Sequence, residues 1–224
     1  MAELKSISNL KISTDCSTCA RKVEEETREF DKLYKFEKTI GRGGFGEVFA
    51  GIHLQDKTRV VIKKVEKVGT KWCDALPPLY RCRTCKRPKE VVLMDCVKNV
   101  PGVVKILDWF ETTKSILIVM EYCQGIDLFD VIDKHGPLKE DVARVIFRQL
   151  LASILICHDN GVLHRDIKDE NIIIDTDNNK IKLIDFGSGT AHHNGTYKDF
   201  EGIIKDIVDC VSVVDLSMSE VETC

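Results

Sequence analysis

The hydrophobic period of this chain changes once, near Tyr122, and that change constrains its fold more than any other feature. Before Tyr122 the pattern is that of strands. Residues 34–40 alternate through Tyr34, Phe36, Lys38 and Ile40, and residues 47–53 put Val48, Ala50 and Ile52 on one face. Residues 59–65 form a β-branched strand, and 103–110 and 115–122 read as two more. One helix, 89–97, interrupts them, with Pro88 suited to its first turn. After Tyr122 the period lengthens. Residues 127–135 predict a short helix. Residues 137–160 predict a long one, with Val142, Ile146, Leu150, Ile154 and His158 along one face, Gly136-Pro137 at its start and Gly161 at its end. Short strands at 172–174 and 181–184 flank the turn signal Asp177-Asn178-Asn179. A strand-rich half followed by a helix-rich half predicts a two-lobed α+β protein.

The 224 residues are enough for one full core. A net charge of −3 gives no basic field for nucleic acid or an anionic membrane. No apolar stretch approaches the roughly 20 residues that span a bilayer. Met1–Leu10 lacks the apolar core of an export signal, so the expected location is the cytoplasm, with the nucleus open to it. Ten cysteines then read as reduced thiols. Cys16/Cys19 and Cys82/Cys85 have C-x-x-C spacing and together the ligand count of a tetrahedral Zn²⁺ site, but the two pairs stand far apart and free thiols are the better reading.

Three motifs carry chemistry. Gly41-Arg42-Gly43-Gly44-Phe45-Gly46 matches G-x-G-x-x-G, a loop whose backbone N–H groups can approach phosphate oxygens. A dinucleotide-binding loop would open a helix, whereas here a β-branched strand follows. Lys63 ends the apolar run Val60-Val61-Ile62, and Glu90 lies in the next helix, so the pair can hold an ammonium against phosphate. The most specific run is His164-Arg165-Asp166-Ile167-Lys168-Asp169-Glu170-Asn171, with Asp185-Phe186-Gly187 fourteen residues after Asn171. Asp166 can orient a hydroxyl and accept its proton. Asn171 and Asp185 offer the hard oxygen ligands that Mg²⁺ prefers. Lys168 can neutralise charge on a transferring phosphoryl group.

Together these motifs resemble the protein kinases, and most nearly the Pim subgroup, over about Tyr34–Gly202. The closer resemblance rests on Gly43-Gly44-Phe45-Gly46, Pro88-Lys89-Glu90-Val91-Val92-Leu93, Leu107-Asp108-Trp109-Phe110, Asp127-Leu128-Phe129-Asp130, the run Val162–Asn171 and Lys182–Gly189. Tyr197 and Asp199-Phe200-Glu201-Gly202 look like its activation segment. The resemblance implies a bilobal kinase-like fold, with an N-lobe of five antiparallel strands plus one helix and an incomplete helical C-lobe. It divides the chain into a polar leader (1–33, mobile or partly helical), N-lobe and hinge (34–123), partial C-lobe (124–202) and a divergent tail (203–224).

It also implies ATP and Mg²⁺ as cofactors. Ile40, Val48, Val61, Ile173 and Ile184 would wall the adenine pocket, with Met120 as gatekeeper and Glu121 C=O and Cys123 N–H as hinge partners. Substrates would be Ser/Thr hydroxyls on basic proteins, with Asp127, Asp130 and Glu170 facing substrate arginines. The competing reading of Asp127 and Asp130 is helix-N-terminal charge.

The chain departs from the subgroup in three places. The hinge Glu121-Tyr122-Cys123-Gln124-Gly125 lacks the extra residue and proline, so Cys123 keeps its N–H. Residues 80–87 form a cysteine- and arginine-rich insertion. After Gly202 the resemblance stops, which leaves the long helix an apolar face for the tail or a protein partner to cover. Two expectations compete: a serine/threonine kinase, and a weakly active or inactive nucleotide-binding or interaction form of one.

Overall fold

The computed structural model describes residues 19–43, 46–73 and 87–191. Gly44, Phe45, Cys16, Cys82, Cys85, most of the 80–87 insertion, the segment around Tyr197 and 199–202, and the tail 203–224 lie outside the described residues. In chain order the elements are α1 (Cys19–Leu33), β1 (Tyr34–Gly43), β2 (Gly46–His53), β3 (Arg59–Glu66), β4 (Trp72–Cys73), β5 (Arg87–Pro88) and α2 (Lys89–Val97). Then come β6 (Ile106–Glu111), β7 (Ser115–Glu121), β8 (Ile126–Asp127), α3 (Leu128–His135) and α4 (Glu140–Asp159). The last are β9 (Val162–Leu163), a 3₁₀ turn (Asp169–Asn171), β10 (Ile172–Asp175), β11 (Lys180–Leu183) and β12 (Thr190–Ala191).

The strand-rich lobe is a five-stranded antiparallel sheet in the order β1-β2-β3-β7-β6. Strand alternation divides its side chains between two cores. On β3, Val60 and Ile62 face one way, while Val61 and Val65 face the other. On β7, Leu117 and Val119 join the first set, and Ile116, Ile118 and Met120 the second. The second set packs with α2 and continues into the helical lobe through Ile146, Leu150 and Ile154 of α4. The first set lies under α1.

The packing of α1 is the main addition to the sequence reading. The polar leader is helical over Cys19–Leu33, and its end is docked. Phe30 is buried against Tyr34, Phe36 and Phe110, with ring centroids 5.1–5.8 Å apart. Upstream, Glu26 Oε2 accepts the Glu111 N–H at 2.8 Å, which occupies a donor on the edge strand β6. One large aromatic in a charged helix is too sparse a signal for periodicity to show.

The helical lobe corrects one expectation. The face of α4 that includes Ile146, Leu150 and Ile154 is not left for a partner, because it is buried in the main core, where α4 packs on β9 and β11. The exposed apolar side chains of α4 are Val145, Leu155 and Ile156, on its other side. The helix also starts later than predicted, at Glu140, with Pro137 ahead of its first turn. α3 starts at Leu128 because the Asp127 carboxylate accepts the Asp130 N–H at 2.7 Å and caps it.

Gly125 ends the link between the lobes at φ 119°. A Cβ there would run into the Ile174 carbonyl, so only glycine fits this crossing onto β10.

Phe30→Ala should destabilise the chain by about 3–5 kcal/mol in urea unfolding. Exposed Arg28→Ala on the same helix should stay within about 0.5 kcal/mol. Equal effects would mean that α1 is not docked in solution.

Candidate active site

Sheet register sets the first part of the site. Val48 on β2 pairs with Lys63 on β3, and Val61 pairs with Met120 on β7. Alternation then turns Val61, Lys63 and Met120 toward the inter-lobe side. Val48, Val61, Ile173 and Ile184 are half-buried there, Met120 is buried, and Ile40 is exposed. Gly46, at φ 122°, starts β2 where a Cβ would meet the Lys64 carbonyl. Arg42, highly exposed, pairs with Glu47 at 3.0 Å across the glycine turn. Gly41 packs beside Val48, and Gly43 faces open space. A cavity of 620 Å³ opens behind this turn on the α2 side, lined in part by Gly43, Gly46, Val65, Glu90 and Gly187.

At the centre, Lys63 Nζ lies 2.7 Å from Glu90 Oε1 and 2.8 Å from Asp185 Oδ1. Burial alone would push the ammonium's pKa down, but the two carboxylates outweigh it and hold it above its ordinary value. Burial pushes Asp185 up, yet Lys63 and the Gly187 N–H at 3.0 Å hold its carboxyl below the ordinary value. Glu90 is raised, by burial first and by Asp185 beside it, against the pull of Lys63. One cation therefore joins β3, α2 and the segment after β11.

The catalytic-type loop is held from below. His164 is buried, its ring edge-on to Phe186 with centroids 4.6 Å apart. Its Nε2 donates to the Ile184 carbonyl at 2.8 Å, which leaves Nδ1 to accept the Asp166 N–H at 3.3 Å. Arg165 Nε donates to the Ser188 carbonyl at 2.9 Å. Arg165 and Asp185 both have φ above 60°, a conformation non-glycine residues adopt at a cost. Asn171 Nδ2 donates to the Asp166 carbonyl at 2.8 Å and to Asp166 Oδ2 at 2.9 Å. Its Oδ1 is thus the carboxamide atom left to accept or ligate. Lys168 lies 3.8 Å from Asp166 Oδ2 and 2.7 Å from Glu170 Oε2.

The structure gathers Lys63, Glu90 and Asp185 into one set and Asp166, Lys168 and Asn171 into another, and the Ile184 N–H, beside Asp185, donates to the Asn171 carbonyl at 2.9 Å. The three acidic residues assigned to substrate arginines stand on adjoining elements but have partners of their own. Asp127 caps α3, Asp130 pairs with Lys134 at 2.8 Å, and Glu170 pairs with Lys168. Sequence reasoning passed over His164 as a brace and Lys182 as a hinge contact. The alternation of β11, which puts Lys182 on the same side as Ile184, was the available signal.

Burial pushes the His164 imidazole below its ordinary value, against the raising pull of the Ile184 carbonyl and of Asp185 and Asp166. The unfolded chain protonates this ring near about pH 6.5, while the folded chain keeps it neutral to lower pH. Stability from this group is complete above about pH 6.5 and falls as pH drops below it. Between about pH 6.5 and about pH 5 the thermal midpoint should fall more steeply in the wild type than in His164→Phe. Equal slopes would show that another group titrates.

Comparison with known proteins agrees with this geometry. The protein kinase domain family matches residues 34–205. The serine/threonine-protein kinase prk-2 of Caenorhabditis elegans is 39% identical over 176 residues, covering 78% of this chain and 38% of that protein. The serine/threonine-protein kinase pim-2 of Danio rerio is 37% identical over 192 residues, 81% of this chain and 60% of that protein. Sperm motility kinase 2B of Mus musculus is 35% identical over 161 residues, 72% of this chain and 30% of that protein. The chain spans less than two thirds of the length of each of these relatives. With its site assembled from β3, α2, the 164–171 loop and Asp185-Phe186-Gly187, the chain belongs to the protein kinase family.

Proposed function

We propose that this chain transfers the γ-phosphoryl group of ATP to serine or threonine hydroxyls of protein substrates with basic residues near the acceptor, as a Pim-type kinase. The observation that carries this reading is Lys63 held between Glu90 and Asp185, with Asp166 locked to Asn171 beside them. The donor set fits the cofactor. Asn171 Oδ1 and the Asp185 carboxylate are hard oxygen donors, and the hydrogen bonds to Asn171 Nδ2 leave Oδ1 as its ligating atom. Bound there, Mg²⁺ supplies charge neutralisation on the phosphate oxygens.

The protein's own contributions follow from position. The backbone at Gly41, Gly43 and Gly46 would lie against the phosphates, and the Lys63 ammonium would hold them against β3. Val48, Val61, Ile173 and Ile184 wall the base, and Met120 limits its depth. Among the described residues the Cys123 N–H makes no hydrogen bond, so it is available to a base acceptor, with the Glu121 carbonyl as the companion site. Asp166 Oδ2 is occupied by Asn171, which leaves Oδ1 to orient the acceptor hydroxyl and take its proton as that oxygen bonds to the γ-phosphorus and the bond from phosphorus to the departing ADP oxygen breaks. Lys168 lies close enough to stabilise the equatorial oxygens. Basic substrates fit if their guanidinium groups compete with Lys134 for Asp130 and with Lys168 for Glu170. Both existing pairs are exposed and therefore weak.

The test is phosphate incorporation from Mg·ATP into a basic serine peptide by the full 224-residue chain. Asp166→Asn should lower the rate about 10²–10⁴-fold, with ATP-dependent thermal stabilisation retained. Stabilisation by Mg·ATP with no phosphopeptide would assign nucleotide binding and refute transfer. Loss of selectivity for basic peptides in Asp130→Asn with Glu170→Gln would support the acidic-patch reading, and unchanged selectivity would refute it.

A further inference from the structure

The kinase reading does not account for Lys182, a basic side chain that reaches the hinge from below. β11 alternates, with Ile181 and Leu183 buried in the core and Lys182 and Ile184 on the opposite side. Lys182 Nζ lies 2.6 Å from Glu121 Oε1 and donates to the Val103 carbonyl at 3.1 Å. The same Glu121 oxygen accepts the Lys105 N–H at 3.1 Å, and the Glu121 N–H donates to the Lys105 carbonyl at 3.0 Å. From the other lobe, the Arg59 guanidinium stands 3.7 Å from the centre of the Tyr122 ring. Glu121 and Tyr122 are thus gripped from two sides, directly before Cys123, whose N–H makes no hydrogen bond among the described residues.

The far end of the link is equally fixed. The Leu183 N–H donates to the Gly102 carbonyl at 2.7 Å, and the Val104 N–H donates to the Leu183 carbonyl at 3.0 Å. Lys182 therefore projects from an anchored strand, three residues before Asp185. Its pair with Glu121 is about one-third exposed, at 32% and 27%. A pair of that kind adds little to global stability. Its leverage is local, because residues 122–125 form no regular structure of their own. A hinge already fixed before binding loses less freedom when a base arrives.

We propose that Lys182 is a positioning residue that, through Glu121, holds the Glu121–Cys123 backbone in place for the adenine base. The proposal rests on the kinase reading above. It assigns Lys182 no contact with nucleotide, and it distinguishes the hinge from the Lys63 end of the site, which has its own ion pairs.

The test is calorimetric titration of the full chain with adenosine and with Mg·ATP, alongside thermal unfolding. Lys182→Met and Glu121→Gln should each weaken adenosine binding about tenfold, with little change in the thermal midpoint. The double variant should be no weaker than either single one, because one link is removed in all three. Lys182→Arg should stay within about threefold of the wild type. If Lys182→Met does not fold, Glu121→Gln decides, since it keeps the size of the hinge side chain. Wild-type affinity in a folded Lys182→Met or Glu121→Gln, or additive losses in the double variant, would overturn the proposal and leave nucleotide binding intact. A wild-type chain that binds neither adenosine nor Mg·ATP would overturn both readings together.

Discussion

The Lys63 ammonium is the point on which this structure turns. A buried cation without partners is costly enough that the fold must supply countercharge or lose the charge. Here it has two carboxylates from elements distant in sequence, Glu90 on α2 and Asp185 beyond β11. Neither carboxylate would be stable there without the lysine. The three charges therefore fix one another, and with them the position of α2 against the sheet and of Asp185 against the catalytic loop. Losing Lys63 would leave two carboxylates facing each other without countercharge, whereas losing one carboxylate would leave a single Lys63–carboxylate pair and untie one of the two elements.

The rest of the site is braced by neutral contacts. His164 donates to one backbone carbonyl and accepts one backbone N–H, which ties Ile184 to Asp166 without adding charge. Its low basicity preserves that arrangement, since a protonated ring would lose the Nδ1 acceptor and put a second cation near Lys63. Arg165 closes the same loop by donating to the Ser188 carbonyl. The left-handed backbones of Arg165 and Asp185 are tolerated because both residues are tied on either side by these bonds.

Much of this was legible in the sequence, and the reason is physical. Strand alternation assigns faces with a period of two, which puts Val61 and Lys63 on one side of β3, while Met120 was placed beside them only by the family resemblance and joins them through the β3–β7 register. The spacing of Asp166, Asn171 and Asp185 reflects a short loop and a hairpin, both short enough to leave little freedom. What escaped the reading depends on contacts between remote segments. The docking of α1 rests largely on Phe30 meeting Tyr34, Phe36 and Phe110, and a single aromatic in a charged helix has no period to detect. The burial of the Ile146, Leu150 and Ile154 face was misassigned because periodicity shows that a face is apolar, not what covers it. Asp127 and Asp130 were assigned to substrate arginines, with helix-N-terminal charge as the competing reading, and the cap and the i,i+4 partner seen here are local options that compete with any substrate role.

The hinge shows how these two kinds of information combine. Its backbone must be placed accurately, yet its own sequence, Glu121-Tyr122-Cys123-Gln124-Gly125, has no strand or helix pattern to do so. Regular elements on either side supply the constraint instead: Arg59 from β3 over Tyr122, Lys182 from β11 to Glu121, and the close approach of Gly125 to Ile174. Each acts on a different residue, and each comes from an element that also supplies the site, since β3 carries Lys63, β10 carries Ile173 and β11 leads to Ile184 and Asp185. The hinge end and the Lys63 end of the site are thus positioned by the same strands. A displacement of β11 would move the hinge support and Asp185 together, so the two ends of the site are mechanically one unit.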